Sequence, residues 1–405
     1  MDKKSKNMTT GDIRLISYGN SQSLKDIKDI AIRSQNMLHD VREKMLMPHP
    51  RKHPPRFSAA QVASMCGITR QRLTYLAKKG IIPEGERENQ RGNRLYTLSD
   101  ARKAVMHSDH FVARPENVPG KKIAIGNFKG GVSKTTTAMT LAQGLTLHGR
   151  KVLVIDLDPQ ASLTTLTGIL ADTEVHEEDT VLPLIYGEKE DLRYAVQQTY
   201  WDGLDLIPSC VSLFSAEFIL PFKQTKNPDF RFWEVLDNGL KPLINEYDFI
   251  IFDTPPALSY MTINAFWAAN GLIVPTPPQP LDFASSTQFW SLFSDFTDSM
   301  QEQVKDLDKH YDFIHVLLSK VDNNQLSTAV VRDWLRRTYQ DMVLPLEIPL
   351  TTVTQTASME LGTVYDITRY EGNAKTYQRA RTAYDSLVEI IHQQFMVLCG
   401  IDQRS

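Results

Sequence analysis

The chain has 405 residues, of which 41% are hydrophobic and 23% charged, with a formal net charge of −3. That composition supports a sizeable core and two or three domains. It excludes a membrane-spanning protein, since no apolar run reaches about 20 residues, and an iron–sulfur protein, since Cys66, Cys210 and Cys399 have no ligand spacing. With no apolar stretch behind Met1-Asp2-Lys3-Lys4, the expectation is a reduced, cytoplasmic protein with unpaired thiols. The charge is uneven. Residues 1–115 carry 22 Lys and Arg against 11 Asp and Glu, and the remainder 23 against 37. A basic N-terminal third points toward nucleic acid.

The first element is a helix with a heptad-like seam: Leu24, Ala31, Leu38 and Met45, with Ile27, Ser34 and Val41 between them. It reads as a dimerisation helix, or as an amphipathic helix packed on its own domain. Pro48, Pro50, Pro54 and Pro55 then end the helix and make a basic linker.

Residues 57–80 read as two helices around a tight turn. Ser58 caps the first, whose apolar face is Val62, Ala63 and Met65. Gly67 makes the turn, and Thr69 caps the second, with Leu73 and Leu76 facing inward. Thr69, Arg70, Gln71, Arg72 and Tyr75 are left on the outer face, where such side chains suit bases and phosphates of a major groove. Gly92 to Thr97 predicts a hairpin wing with Arg91 and Arg94 near its tip, and Ser99-Asp100 starts a further helix. The stretch from Phe57 to His107 resembles a MerR-like winged helix-turn-helix.

Lys122-Ile123-Ala124-Ile125 is an apolar strand that runs into Lys129-Gly130-Gly131-Val132-Ser133-Lys134-Thr135-Thr136 and then a helical pattern to His148. Strand, glycine loop and helix is the context of a phosphate site. Successive backbone N–H groups and the helix N-terminus attract the anion, Lys134 reaches the β- and γ-phosphates, and the Thr135 hydroxyl holds Mg²⁺. The strict P-loop pattern asks for glycine at positions 128 and 133, where this chain has Phe128 and Ser133.

Lys151 to Ile155 reads as a buried parallel strand ending in Asp156-Leu157-Asp158-Pro159-Gln160. One aspartate could act through a Mg²⁺-bound water and the other orient the attacking water. Phe249-Ile250-Ile251-Phe252-Asp253 is a second such strand, and its carboxylate would complete the metal site opposite Thr135. Gly271 to Thr276 and Phe313 to Leu318 are further strands. The second ends in Ser319-Lys320-Val321-Asp322, a weak guanine-reading pattern that is also an ordinary helix-capping loop.

In this order the motifs at 129–136, 156–160 and 249–256 resemble the ParA family of partition ATPases, over roughly residues 120–395. The resemblance implies a sandwich dimer around ATP in which Lys129 of one subunit reaches the nucleotide of the other. It implies that Asp158 positions the water, and that Asp156 and Asp253 complete the Mg²⁺ shell around Thr135. The expected fold is α/β, a doubly wound, mainly parallel P-loop sheet, with an N-terminal helical winged helix-turn-helix domain. The expected domains are residues 1–50, 51–115 and 116–405.

Near the C-terminus Arg369, Lys375, Arg379 and Arg381 form a basic cluster that could track DNA phosphates, with Arg332, Arg336 and Arg337 as a second candidate. The last residues, Gly400 to Ser405, have no basic amphipathic character, which counts against a membrane role. The resemblance implies a nucleoid-associated ATPase that segregates DNA as a dimer or filament. A ParB-type adaptor would stimulate it, and it would repress its own operon. A nucleotide-gated transcription regulator without a transport role is the alternative. A metabolic ligase of the same fold fits the basic N-terminal third poorly.

Overall fold

The structure, a computed structural model, describes residues 23–46, 52–87, 93–304, 307–351, 353, 362–367 and 373–401. The chain divides into two compact units, Met1–His49 and Pro50–Ser405. The first contains helix α1, Leu24–Leu46. Ser23 caps it, its backbone N–H and hydroxyl both donating to Asp26 at 2.7 and 2.6 Å. On the seam, Leu24, Ile27, Leu38 and Val41 are all exposed.

The second unit begins with β1 (Phe57–Ser58), α2 (Ala59–Met65) and α3 (Arg70–Lys78). Ser58 and Gln61 form a reciprocal capping box, and the Thr69 hydroxyl accepts from Arg72 N, as the sequence predicts. Gly67 joins the helices at φ +65°, a left-handed conformation that costs glycine least. Strands β2 (Glu86–Arg87) and β3 (Arg94–Tyr96) pair antiparallel, and β1 adds to β3. Arg91 lies outside the described residues, as does Arg369. Helix α4, Leu98–Met106, starts one residue before the expected Ser99; Thr97 caps it, boxed with Asp100.

These elements share one apolar core with the α/β fold that follows: Leu73, Leu98 and Val105 belong to the same buried cluster as Leu141 and Leu145. Arg102 of α4 clamps the junction. It donates to the carbonyls of Thr146 (2.9 Å) and Arg150 (3.0 Å) and pairs with Asp202.

An eight-stranded sheet follows. Its strands are β4 (Lys121–Ile125), β5 (Val152–Asp156), β6 (Gln197–Gln198), β7 (Leu204–Ile207), β8 (Phe249–Asp253), β9 (Gly271–Thr276), β10 (Phe313–Val321) and β11 (Val343–Pro349). They lie in the order β11-β10-β9-β4-β8-β5-β7-β6, parallel throughout except for the edge pair β6–β7. Alternate residues feed two cores, one on each face. Val152 and Val154 pack with α5 (Lys134–Leu147) and the C-terminal helix, while Leu153 and Ile155 pack on the opposite side. The expected mainly parallel P-loop sheet, covered on both faces, is therefore present. Among the described residues no helix is long and apolar enough to cross a membrane.

Candidate nucleotide site

The loop between β4 and α5 lies at the carboxyl edge of the sheet, where open α/β folds bind ligands. Its shape is held by side chains outside the glycine motif. Asn127 accepts from Lys129 N at 3.0 Å and donates to the Pro275 carbonyl at 2.9 Å. Ser319 Oγ donates to the carbonyl of buried Val132 at 3.0 Å, so the end of β10 braces the loop from the other side. Asp322 meanwhile accepts from Asn324 N at 3.0 Å, folding the turn before the next helix. Gly130 and Gly131 are exposed, and a Cβ on Gly131 (φ +74°) would meet nothing within 4 Å.

Ser133 also has a left-handed φ, +76°, which explains why the strict pattern asks for glycine there; this chain holds a serine in that geometry at a steric cost. Ser133 makes no side-chain cap on α5, so the amides of the first turn, including those of Thr135 and Thr136, are available to an anion. Lys134 is buried, and its Nζ donates to the Lys129 carbonyl at 2.9 Å. Burial lowers its pKa, and the charges of Asp253 and Asp158 oppose that.

Three carboxylates face the loop. Asp156 and Asp253 are register partners on β5 and β8, and both are fully buried. Asp156 Oδ2 accepts from both the backbone N–H and the hydroxyl of Thr164, each at 2.8 Å, and Oδ1 accepts from Asp158 N at 3.1 Å. Burial nevertheless pushes its pKa up to about 7. Asp253 is held well above the ordinary carboxylate range by burial and then by Asp156, against the Thr135 hydroxyl and Lys134. Neither of its carboxylate oxygens has a hydrogen-bond partner. Asp158 is half-buried, and its Oδ1 accepts from Gln160 N at 2.9 Å, folding its own loop. Ser209 Oγ donates to the Asp158 carbonyl at 2.8 Å.

Lys129 points toward helix α8, Pro280–Gln303, which follows β9; α6 (Ser162–Leu166) carries Thr164, and α7 (Tyr260–Ala268) follows β8. Its Nζ lies 2.7 Å from Asp282 Oδ1 in the first turn of α8. Asp282, Thr164, Asn127 and Ser209 carry no motif of their own. An acid in a first helical turn reads as ordinary dipole compensation, and only the fold shows what it touches.

The predicted DNA-contacting residues divide by how far their charge is already committed. Thr69, Arg70, Gln71, Arg72 and Tyr75 are all exposed on one side of α3, with the Arg72 guanidinium 5.5 Å from the Tyr75 ring. Arg94 on β3 instead pairs with Glu84 at 3.0 Å. On the C-terminal helix α9, Ala374–Leu398, Lys375 and Arg379 are exposed one turn apart and line an open cleft of about 500 Å³ beside Val321 and Pro349. Arg381 is half-buried. It is bound to Asp385 at 3.0 Å and lies 4.1 Å from the Tyr365 ring. In the second cluster Arg332 and Arg336 both pair with Glu347, at 2.7 and 3.3 Å, and Arg337 pairs with Asp333 at 2.8 Å.

One group of potential metal ligands gathers elsewhere among the described residues: His148, Glu389 and His392, whose donor atoms lie within 4.8 Å of one another. Arg150 Nε donates to His392 Nε2 at 3.0 Å, which occupies the single lone pair of a neutral imidazole. His392 therefore serves the buried guanidinium.

A family model described as an AAA domain matches residues 120–306. Protein SopA of Escherichia coli K12 is 31% identical over 327 residues, covering 79% of this chain and 82% of its own length. A solved structure described as a partition protein superposes with a TM-score of 0.63 at 19% identity, covering 94% of this chain and all of that one, a likeness of fold. Cobyrinic acid a,c-diamide synthase from Mycobacterium smegmatis, solved with bound ADP and magnesium, gives a TM-score of 0.53 at 26% identity, over 68% of this chain and 95% of its own.

Proposed function

The chain belongs to the ParA-type partition ATPases, and from that premise we propose that it hydrolyses ATP with Mg²⁺ to segregate plasmid or chromosomal DNA. The observation that carries this reading is the meeting of a second lysine, Lys129, with a backbone-lined phosphate loop and three carboxylates at one edge of the sheet. The ATP phosphates lie against the amides of residues 129–136 and the N-terminus of α5, with Lys134 on the β- and γ-phosphates.

Both orphaned oxygens of buried Asp253, beside the Thr135 hydroxyl, fit a hydrated divalent cation. Thr135, Asp253 and Asp156 would hold it. Bound Mg²⁺ would supply neutralisation of the phosphate charge. Asp158 orients the attacking water. Its carboxylate accepts from Gln160 N and so folds its own loop. Turnover of the protein alone is therefore slow, and a DNA-bound adaptor of the ParB type accelerates it.

Two subunits close face to face, each Lys129 reaching the partner's nucleotide. This state binds DNA without sequence preference through Lys375 and Arg379, flanked by Arg381, as dimers or filaments on the nucleoid in the cytoplasm. The exposed seam of α1 pairs two chains, and α3 with its wing reads an operator and represses the chain's own operon. The shared core of α4 and α5 equally serves a nucleotide-gated regulator without transport; loss of plasmid or chromosome inheritance in Lys134→Ala separates the two.

The first test is binding to random-sequence DNA with ATP, ADP, GTP or no nucleotide, across a salt series, for the native chain and Lys129→Ala. The expected result is ATP-specific, salt-sensitive binding that the substitution abolishes. Binding indifferent to nucleotide and to Lys129 overturns the partition mechanism.

A further inference from the structure

Lys129 is held inside its own subunit. Its ammonium sits 2.7 Å from Asp282 Oδ1, with the lysine side chain 34% exposed and the aspartate 5%. Asp282 follows Pro280 and Leu281 in the first turn of α8, where the helix dipole favours a carboxylate. A carboxylate this buried also needs a positive partner, and Lys129 provides one. The adjoining Leu281 is 76% exposed, so the turn that carries Asp282 reaches the surface beside the phosphate loop.

We infer that Asp282 is a positioning residue that parks Lys129 in cis, and that dimer closure requires the ammonium to pass from Asp282 to the partner's phosphates. The inference rests on the shared-nucleotide reading above. The ammonium has three donors, but a partner's phosphates carry more charge than one carboxylate and draw it away from its own Asp282. The exchange leaves a buried carboxylate without its cation, which is costly. A triphosphate, with its higher charge, offsets that cost better than a diphosphate. The contact therefore sets a threshold that ATP crosses and ADP does not.

The test uses the full chain. Dimerisation is followed by sedimentation velocity against increasing ATPγS or ADP, with Mg²⁺, for the native protein, Asp282→Asn, Asp282→Glu and Lys129→Ala. Nucleotide affinity and melting temperature are measured in parallel. In Asp282→Asn the dimer should form at about tenfold lower ATPγS, the order expected for releasing one charge-assisted contact, and should also become detectable with ADP. Asp282→Glu should keep the native threshold. An unchanged or raised threshold in Asp282→Asn, with nucleotide affinity intact, overturns the inference and leaves Asp282 a structural acid. If Asp282→Asn melts too early to be read, Asp282→Ser is read by the same criteria. Persistence of the ATPγS dimer in Lys129→Ala sinks the shared-nucleotide reading itself. Its loss there, beside an unchanged Asp282→Asn threshold, sinks only the latch.

Discussion

Asp156 and Asp253 stand directly opposite each other on adjacent parallel strands, both fully buried, with Lys134 beside Asp253. Asp156 is raised to about 7, chiefly by burial, and Asp253 is held well above the ordinary carboxylate range by burial and by Asp156. Acids whose folded pKa exceeds the unfolded value stabilise the chain fully below the ordinary carboxylate range, and that contribution is lost as pH rises through about 7. A divalent cation has the opposite dependence, because it competes with protons for the same oxygens. The rise in melting temperature caused by Mg²⁺ with ADP should therefore be larger at pH 8 than at pH 6. Asp253→Asn should stabilise the nucleotide-free chain at pH 8 by roughly 1–2 kcal/mol and abolish the Mg²⁺ increment. An increment that is the same at both pH values contradicts this account.

Thr164 donates twice to Asp156, and its hydroxyl also accepts from Ser209 N at 3.0 Å. Thr164→Val removes the hydroxyl from both contacts and keeps the shape. Less support for the charged carboxylate raises the Asp156 pKa further. ATP turnover should fall about tenfold at neutral pH, with its alkaline rise displaced upward, and Thr164→Ser should restore both. A lower rate with an unmoved pH profile would show that Thr164 acts only on packing.

Ser133 occupies a left-handed conformation with no side-chain cap to compensate. Ser133→Gly should raise stability by about 0.5–1 kcal/mol, the relief of strain exceeding the added freedom of the unfolded chain. Nucleotide affinity should be retained, because the amides keep their directions. Chemical denaturation measures the first and fluorescent-nucleotide titration the second.

His392 is buried, and its pKa is pushed down to about 3 by burial, with further lowering from His148 and Arg150. The unfolded ring titrates near its ordinary value. The stability it contributes is complete above pH 6.5 and is lost progressively as pH falls from there toward 3. Melting temperature should drop between pH 7 and pH 5, and His392→Gln should flatten that slope while remaining able to accept from Arg150 Nε. A slope unaltered in the variant would place the acid sensitivity elsewhere.

The two exposed basic faces should separate by substitution. Arg70→Ala with Arg72→Ala should abolish discrimination between operator and random DNA and leave ATP-dependent random binding largely intact. Lys375→Ala with Arg379→Ala should weaken random binding and reduce its salt slope by about 2, roughly one per lost phosphate contact, while operator recognition persists. Arg381→Ala should instead lower the melting temperature, since that guanidinium is already bound to Asp385 and Tyr365. Equal losses from both double substitutions on both DNAs would show a single surface.

The glycine loop, the two aspartate-ended strands and the caps at Ser58 and Thr69 were legible because each is a short-range pattern. Strand burial on both faces follows from runs such as Val152-Leu153-Val154-Ile155, and the two short helices either side of Gly67 follow from their capping residues. The sequence places the start of α4 one residue late because Thr97, Ser99 and Asp100 all suit a helix start, and only the pairing of β3 with β1 decides where extended backbone ends. The basic clusters were legible as charge and not as surface. Arg332, Arg336 and Arg381 read the same as Lys375 and Arg379 until Glu347 and Asp385 are placed beside them.

By itself the sequence determined the chemistry available: a phosphate loop with two lysines, carboxylates at strand ends, and a basic N-terminal third. Those depend on backbone sterics and on period, which act over a few residues. Only the tertiary structure decided that Asp156 faces Asp253, that Ser319 and Asn127 brace the loop, and that Lys129 meets Asp282. These contacts join segments far apart in the chain. Sheet order and helix packing set their distances, and no local pattern encodes which charge will be buried beside which.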